Sequence, residues 1–331
     1  MSLKTIPIFF TFNNDYVVPA AVAFYSLLNK AKEDIFYEMY VLHSDITSEN
    51  QSLLQGVVGH FQKGNLTFID TQNFLEDEWE SGNFDGHNKR TQFCRETILK
   101  CFPMRFFPQY DKIIYSDVDV VFADDISELW DVDIEGKYIA AVKNPFMKYS
   151  EKELSHLKPE HYEKLKDSYF GGGIWVLNLR QIRSDDLEKR MWAVLKNETI
   201  IKRWPDQDIM NIACDNKVVF IPLNYIAYPY MYDLLQRPDF ISHYTTDELW
   251  DSIVNPKIIH YANIKPWKAE VRYGDIWWDI FNYLKLPKTS IFEQQEPINK
   301  FKKKYKRYKK LSMFLGLTII VLLGLLIWRI K

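Results

Sequence analysis

Two carboxylates one residue apart, Asp117 and Asp119, interrupt an apolar run. The run begins at Lys112-Ile113-Ile114-Tyr115-Ser116 and turns apolar again through Val120-Val121-Phe122. Its β-branched residues predict a buried strand. Unpaired charge in such a place is costly. A divalent cation removes the cost: hard oxygen ligands suit Mg²⁺ or Mn²⁺, and either ion can in turn hold a diphosphate. A D-x-D pair is common, however, and a solvated strand end is its plainer reading.

Other residues can be weighed with the pair. Asn13-Asn14-Asp15 form a polar turn after an apolar run, Ile6–Phe12. Arg95 falls in a helix expected over Thr91–Phe102, either exposed or aimed at a phosphate or carboxylate. Gly171-Gly172-Gly173 enter another apolar run, where glycine allows close backbone approach to a ligand or tight packing. No Gly-Lys-Ser/Thr follows, so this is not a phosphate-binding P-loop. Trp204-Pro205-Asp206-Gln207-Asp208 opens a helix, since Pro205 suits a first turn and the acids suit its positive end. Asn224–Leu235 is an aromatic loop, and Lys257–Tyr261 is a last strand running into Lys265-Pro266-Trp267.

The elements that position these residues follow from periodicity. Helical spacing of Val17, Ala21, Phe24 and Leu28 follows the first strand. Phe36–Leu42 is a second strand, and Leu53, Leu54, Val57, Val58 and Phe61 mark a helix capped by Thr47 or Ser48. Leu66–Ile69 is a third strand, and Glu76–Lys89 reads as a loop. Further on come a helical turn over Ile126–Trp130, a strand over Tyr138–Val142, and a charged, exposed helix over Ser150–Lys166. A helix over Arg183–Asn197 and a strand over Val218–Ile221 complete the pattern. The alternation predicts a largely parallel sheet covered on both faces. Ligands of such sheets bind beyond the carboxyl ends of the strands. That places Asn13–Asp15 on one rim with Asp117 and Asp119.

Composition narrows the classes. Of 331 residues, 47% are hydrophobic and 26% charged, as in a globular protein. The net charge of −2 combines a basic C-terminal segment with an acidic remainder, which argues against a nucleic-acid partner. Cys94, Cys101 and Cys214 fit no zinc spacing and read as reduced, buried thiols. The N-terminus lacks the charged region and length of a signal peptide.

The last segment differs from the rest. Eight of the eleven residues from Lys300 to Lys310 are Lys or Arg, and the eighteen from Leu311 to Trp328 carry no charge. That length is near the lower limit for a membrane span, and the stretch has no polar face of the kind an interfacial helix shows. The expected organisation is a catalytic domain over 1–285, a basic juxtamembrane linker over 286–310 and a transmembrane anchor over 311–328. The basic cluster should stay cytoplasmic and attract anionic lipid. This predicts a single-pass protein at the cytoplasmic face of the inner membrane.

Four blocks, in order, resemble glycosyltransferase family 8, the retaining nucleotide-sugar transferases that include bacterial lipopolysaccharide galactosyl- and glucosyltransferases. They are Phe9–Tyr16, Tyr115–Asp119, Pro205–Asn211, and His260-Tyr261 with Lys265-Pro266-Trp267. The resemblance implies a GT-A type α/β fold, Rossmann-like, with a mostly parallel mixed sheet flanked by helices, here with a C-terminal membrane helix added. It implies Mn²⁺ (Mg²⁺ as the alternative) held by Asp117, Asp119 and His260, and a UDP-sugar donor. Thr11, Asn13, Asp15 and Tyr16 would hold uracil and ribose. Lys265 would meet the diphosphate, Arg95 the donor, and Val118 would lie within the donor-binding D-x-D. Asp206 and Gln207 would lie beside the donor sugar as the catalytic pair. Two departures stand out: Gly171 or Gly172 where the family often has a polar side chain, and Asn263 in place of a glycine.

The function expected is transfer of glucose or galactose from a UDP-sugar to a glycan or lipid-linked acceptor, in cell-surface polysaccharide or lipopolysaccharide synthesis. A catalytically decayed, membrane-tethered nucleotide-sugar-binding protein is the alternative, with Gly171-Gly172 as its support. A sugar-1-phosphate nucleotidyltransferase would want a glycine-rich loop after the first strand, and Thr11–Tyr16 contains no glycine.

Overall fold

A computed structural model of the chain describes residues 3–74, 95–145, 154–197, 200, 202–236 and 242–292. In chain order, β1 (Lys4–Thr11) leads through a 3₁₀ turn into α1 (Val17–Lys30); β2 (Ile35–His43), α2 (Ser48–Gly59) and β3 (Gly64–Asp70) follow. Next come α3 (Glu96–Leu99), β4 (Lys112–Ser116), β5 (Val120–Phe122) and β6 (Ile139–Lys143). Then α4 (Pro159–Leu165), β7 (Phe170–Asn178), α5 (Leu179–Ser184), α6 (Leu187–Lys196) and α7 (Pro205–Cys214). The described part ends with β8 (Val218–Ile221), α8 (Met231–Leu235), α9 (Thr246–Val254), β9 (Ile258–His260), α10 (Gly274–Tyr283) and a 3₁₀ turn.

Seven strands form one sheet in the order β3-β2-β1-β4-β7-β6-β8. The pairs from β3 to β4 and the β6–β8 pair are parallel, whereas β7 runs antiparallel to both β4 and β6. The sheet is thus the mixed, mostly parallel one expected. Alternation along each strand divides its side chains between two cores. Ile6, Ile8 and Phe10 of β1, Ile114 of β4 and Ile174 and Val176 of β7 pack with α1 and α2. Phe9, Ile113, Tyr115, Trp175 and Leu177 pack on the other face with α5, α6 and α7. α1 is buried on nearly all sides, from Val17 to Leu28. Thr47 caps α2, its hydroxyl accepting from Asn50 N at 3.3 Å.

Three expectations change. The run Lys112–Phe122 is not one strand. β4 belongs to the main sheet, but β5 leaves it and pairs antiparallel with β9, with Val120 opposite His260. The segment read as an exposed helix over Ser150–Lys166 contributes a small core of its own, with Leu154, Leu165 and Tyr169 buried; residues 146–153 lie outside the described part. The single helix expected over Arg183–Asn197 is two, α5 and α6, separated at Asp186, whose φ of 51° no helix accommodates. Among the described residues no helix is long and apolar enough to cross a membrane. The span over 311–328, the linker from 293 on and the loop over Glu76–Lys89 lie outside them.

Candidate active site

The carboxyl ends of β1 and β4 and the first residues of β7 meet on one rim. β1 and β4 are adjacent and parallel, with Phe9 opposite Tyr115. Asp117 follows β4 directly and donates its N–H to Gly173 O at 3.0 Å. Asp119 precedes β5, and its carbonyl accepts from Tyr261 N at 2.9 Å. The β5–β9 ribbon therefore carries His260 back to the two aspartates.

His260 Nε2 lies 3.4 Å from Asp117 Oδ2 and 3.2 Å from Asp119 Oδ1. One ligand atom from each residue falls within 4.8 Å of the others, which makes a cluster able to hold a metal ion. An octahedral ion with bonds of about 2.0–2.1 Å separates adjacent ligand atoms by about 3 Å. Two carboxylates and an imidazole at this spacing fit Mn²⁺ or Mg²⁺. His260 is 6% exposed, and its Nδ1 has no hydrogen-bond partner.

Two lysines flank the carboxylates, Lys100 buried and Lys265 partly buried. Lys265 Nζ donates to Asp119 Oδ2. Lys100, which the sequence did not single out, is 3% exposed. Its Nζ lies 3.2 Å from Asp117 Oδ1 and 2.5 Å from Asp206 Oδ2, and donates to Gly172 O at 3.0 Å. It also stands 4.9 Å above the Tyr115 ring and 5.1 Å above that of Trp175. The Tyr115 hydroxyl donates to Asp117 Oδ1 at 2.5 Å and lies 3.4 Å from Thr11 Oγ1.

Charge follows this geometry. Burial works to raise Asp119, but Lys265 and then His260 outweigh it and hold the carboxyl well below the usual range. Burial opposes Lys100's charge, yet Asp117 and Asp206 keep the ammonium protonated. One lysine cannot compensate both acids equally. Burial prevails at Asp206 and pushes it up, whereas Asp117, which also meets His260, is pulled down. Burial lowers His260, but Asp119 and Asp117 carry it up to about 9.

The glycines have steric reasons. A Cβ at Gly172 would collide with Asp206 Oδ2 and lie 3.1 Å from Lys100 Nζ and 3.2 Å from Gln207 Cγ. A Cβ at Gly173 would lie 2.6 Å from Ile226 Cδ1 and 2.7 Å from His260 Nδ1. Gly172 thus lets Lys100 and Asp206 meet, and Gly173 makes room for His260. Gly172 consequently lends no support to a decayed site. Gly173→Ala should displace the imidazole and weaken Mn²⁺ binding at least tenfold, measured by calorimetry. Unchanged affinity would mean that the ring is not fixed by this contact.

The remaining candidates sit as follows. Gln207 is half-buried on the first turn of α7, next to Asp206. Asn13 Oδ1 is buried without a partner on the rim. Asn14 is committed elsewhere, accepting from Asn50 Nδ2 at 2.8 Å and donating its N–H to Asp45 at 2.8 Å. Asp15 is exposed, and Tyr16 meets Trp267 edge-on with ring centroids 6.2 Å apart. Val118 turns its side chain into the core beside α1. Arg95 is half-buried just before α3, and among the described residues no ion pair joins it to the cluster. Lys100, one turn and a half further on, makes the contacts instead. Its signal in the sequence is a lone cation inside the apolar run Ile98-Leu99-Lys100-Cys101-Phe102.

The profile of the family described as Glycosyl transferase family 8 matches residues 7–270. A lipopolysaccharide 1,2-glucosyltransferase of Escherichia coli is 28% identical over 204 residues, covering 59% of this chain and 56% of its own. A lipopolysaccharide 1,3-galactosyltransferase of Salmonella typhimurium is 26% identical over 174 residues, covering 50% and 46%. The alignments thus span about half the length of these relatives. The solved galactosyltransferase LgtC, in complex with donor and acceptor sugar analogs, superposes with a TM-score of 0.66 over 86% of this chain and 98% of that one, at 18% identity. That likeness concerns the fold.

Proposed function

The chain belongs to glycosyl transferase family 8, and on that premise we propose that it is a retaining, metal-dependent hexosyltransferase that moves glucose or galactose from a UDP-sugar to a glycan or lipid-linked acceptor. The observation that carries this reading is the cluster Asp117, Asp119 and His260, set between buried Lys100 and partly buried Lys265 at the carboxyl ends of β1 and β4. The related lipopolysaccharide transferases favour a lipopolysaccharide or other cell-surface glycan as product. The basic stretch 300–310 and the apolar 311–328 favour work at the cytoplasmic face of a membrane, where each basic residue near anionic lipid adds about 1 kcal/mol.

Thr11, Asn13, Asp15 and Tyr16 are assigned to uracil and ribose, and the unpartnered Asn13 Oδ1 supports this, since a buried acceptor wants a donor. A bound Mn²⁺ would neutralise diphosphate charge as the donor bond breaks. Lys265 and Lys100 would stabilise the same charge, with Arg95 as a further cation before α3. In the chemical step the bond between the anomeric carbon and the diphosphate oxygen breaks, its electron pair leaving with UDP. The acceptor hydroxyl adds on the same face and passes its proton to that leaving oxygen. Asp206 is tied to Lys100 and is poorly placed to act as a nucleophile. Gln207 is an amide and a poor nucleophile, so its role is to stabilise the oxocarbenium-like centre.

The test is UDP release from UDP-glucose, UDP-galactose and their N-acetyl forms, with Mn²⁺ and extracted glycolipid acceptor, beside calorimetry of UDP. Binding of UDP without turnover on any donor would favour the non-catalytic alternative. Gln207→Ala should lower kcat about 10²–10³-fold with UDP affinity retained, and unchanged turnover would remove Gln207 from the chemistry.

A further inference from the structure

A cleft of about 250 Å³ lies between the end of α8 and the start of α9. The buried Leu249 and the exposed Trp250, Thr246 and Gln236 line it, with Ser242 and Tyr244 half-buried. Among the described residues that line it, none is charged. Trp250 is braced while remaining 40% exposed. Tyr232 meets its ring edge-on with centroids 5.9 Å apart, and the Arg272 guanidinium lies 4.3 Å from the centre of the Tyr232 ring. A braced indole offers a flat apolar surface at little entropic cost. The hydroxyls of Thr246 and Ser242 and the amide of Gln236 belong to the same lining. Aromatic surface with a few neutral hydrogen-bonding groups is how small-molecule sites hold and orient an uncharged ligand. A sugar ring matches it, with an apolar C–H face and hydroxyls around the edge.

The cleft is joined to the rim that carries the metal-ligand cluster. Tyr244 donates its hydroxyl to the carbonyl of Lys143, the last residue of β6, at 3.0 Å, and its N–H to Ser242 Oγ at 3.1 Å. β6 and β4 both run antiparallel to β7, so the carboxyl end of β6 lies on the same rim as that of β4. The order β4-β7-β6 separates them by two strand spacings, about 10 Å. A chain of a few sugars covers that distance.

The side of the sheet agrees as well. A Cβ at Gly172 would meet Asp206 and Gln207, whereas one at Gly171, on the opposite side of β7, would meet the Tyr228 hydroxyl at 3.6 Å. Tyr228 is in turn close enough to Tyr244 to add to the burial that pushes the Tyr244 phenol up. We propose that the cleft binds a sugar unit of the acceptor glycan, beyond the unit that is glycosylated, with its ring against Trp250. This rests on the hexosyltransferase reading. In that reading the acceptor adds on the face from which UDP leaves, and Gln207 stands at the other face of the anomeric carbon. The acceptor therefore comes from the side of β7 that the cleft occupies.

Binding can be measured apart from turnover. The oligosaccharide freed of lipid from the extracted glycolipid would be titrated by calorimetry into the wild type, Trp250→Ala and Thr246→Trp, beside UDP with Mn²⁺. Trp250→Ala removes the platform, and Thr246→Trp fills the cleft from an exposed position. Each should weaken the oligosaccharide about tenfold or more and leave UDP affinity within twofold. In transfer assays the KM for the glycolipid should rise by the same factor with kcat unchanged. Should Trp250→Ala lose its melting transition, Thr246→Trp decides alone. Oligosaccharide affinity unchanged in the folded variants overturns the proposal, as does a wild type that binds no oligosaccharide. Loss of UDP and oligosaccharide affinity by one common factor marks a structural role and overturns it too. A wild type that binds the oligosaccharide but no UDP overturns the UDP-hexose reading instead, and the loss of oligosaccharide affinity in the variants still decides for the cleft.

Discussion

Lys100→Met should destabilise the folded protein by about 3–5 kcal/mol, the range for breaking a buried ion pair by removing one partner. The lysine is 3% exposed and the only cation in contact with both Asp117 and Asp206 among the described residues. Methionine fills similar volume but leaves Asp206 buried without its counter-charge, and frees Gly172 O of a donor. At about 2–4 °C per kcal/mol, thermal unfolding should move down by roughly 10 °C. Lys100→Met combined with Asp206→Asn should recover part of that loss, because the second change removes the stranded charge. A Lys100→Met protein that melts within 2 °C of wild type would show that the ammonium is dispensable for the fold.

Asp117→Asn should lower turnover by about 10³-fold or more, since the proposed metal site would lose one of its three ligands and with it several kcal/mol of charge stabilisation at about 1.4 kcal/mol per tenfold. The choice of aspartate matters. In Asp119→Asn, Lys265 would lose its carboxylate and the fold would suffer with the chemistry. In Asp117→Asn, Lys100 retains Asp206, so the protein should remain folded while the metal site fails. Circular dichroism and Mn²⁺ calorimetry separate the two effects. Turnover within tenfold of wild type would remove Asp117 from the metal site.

What the sequence conveyed depended on whether a feature was local. The D-x-D, the polar turn after β1 and the first turn of α7 are each written in neighbouring residues, and the fold places all three on one rim. His260 was within reach only through likeness to a family, because nothing near it announces a ligand. Its approach to Asp117 and Asp119 comes from pairing between β5 and β9, segments far apart in the chain. The same non-local pairing explains why one strand was expected where two exist. Lys100 was not singled out, and Arg95 was named instead on likeness to the family. Only the packing of Tyr115, Trp175 and α7 around Lys100 makes it an interior cation.

The departure of β5 from the main sheet also bears on the order in which the protein assembles. Both aspartates are synthesised early, and β4 can join β1 at once. β5, by contrast, has no partner in the structure until Ile258–His260 exists. Pairings of long sequence separation are slow to form, and chains fold from the N-terminus as they are made. The sheet can therefore be largely built while the cluster still lacks His260 and one of its walls. Closure of a two-stranded ribbon by a late segment is then the event that brings His260 to the two aspartates.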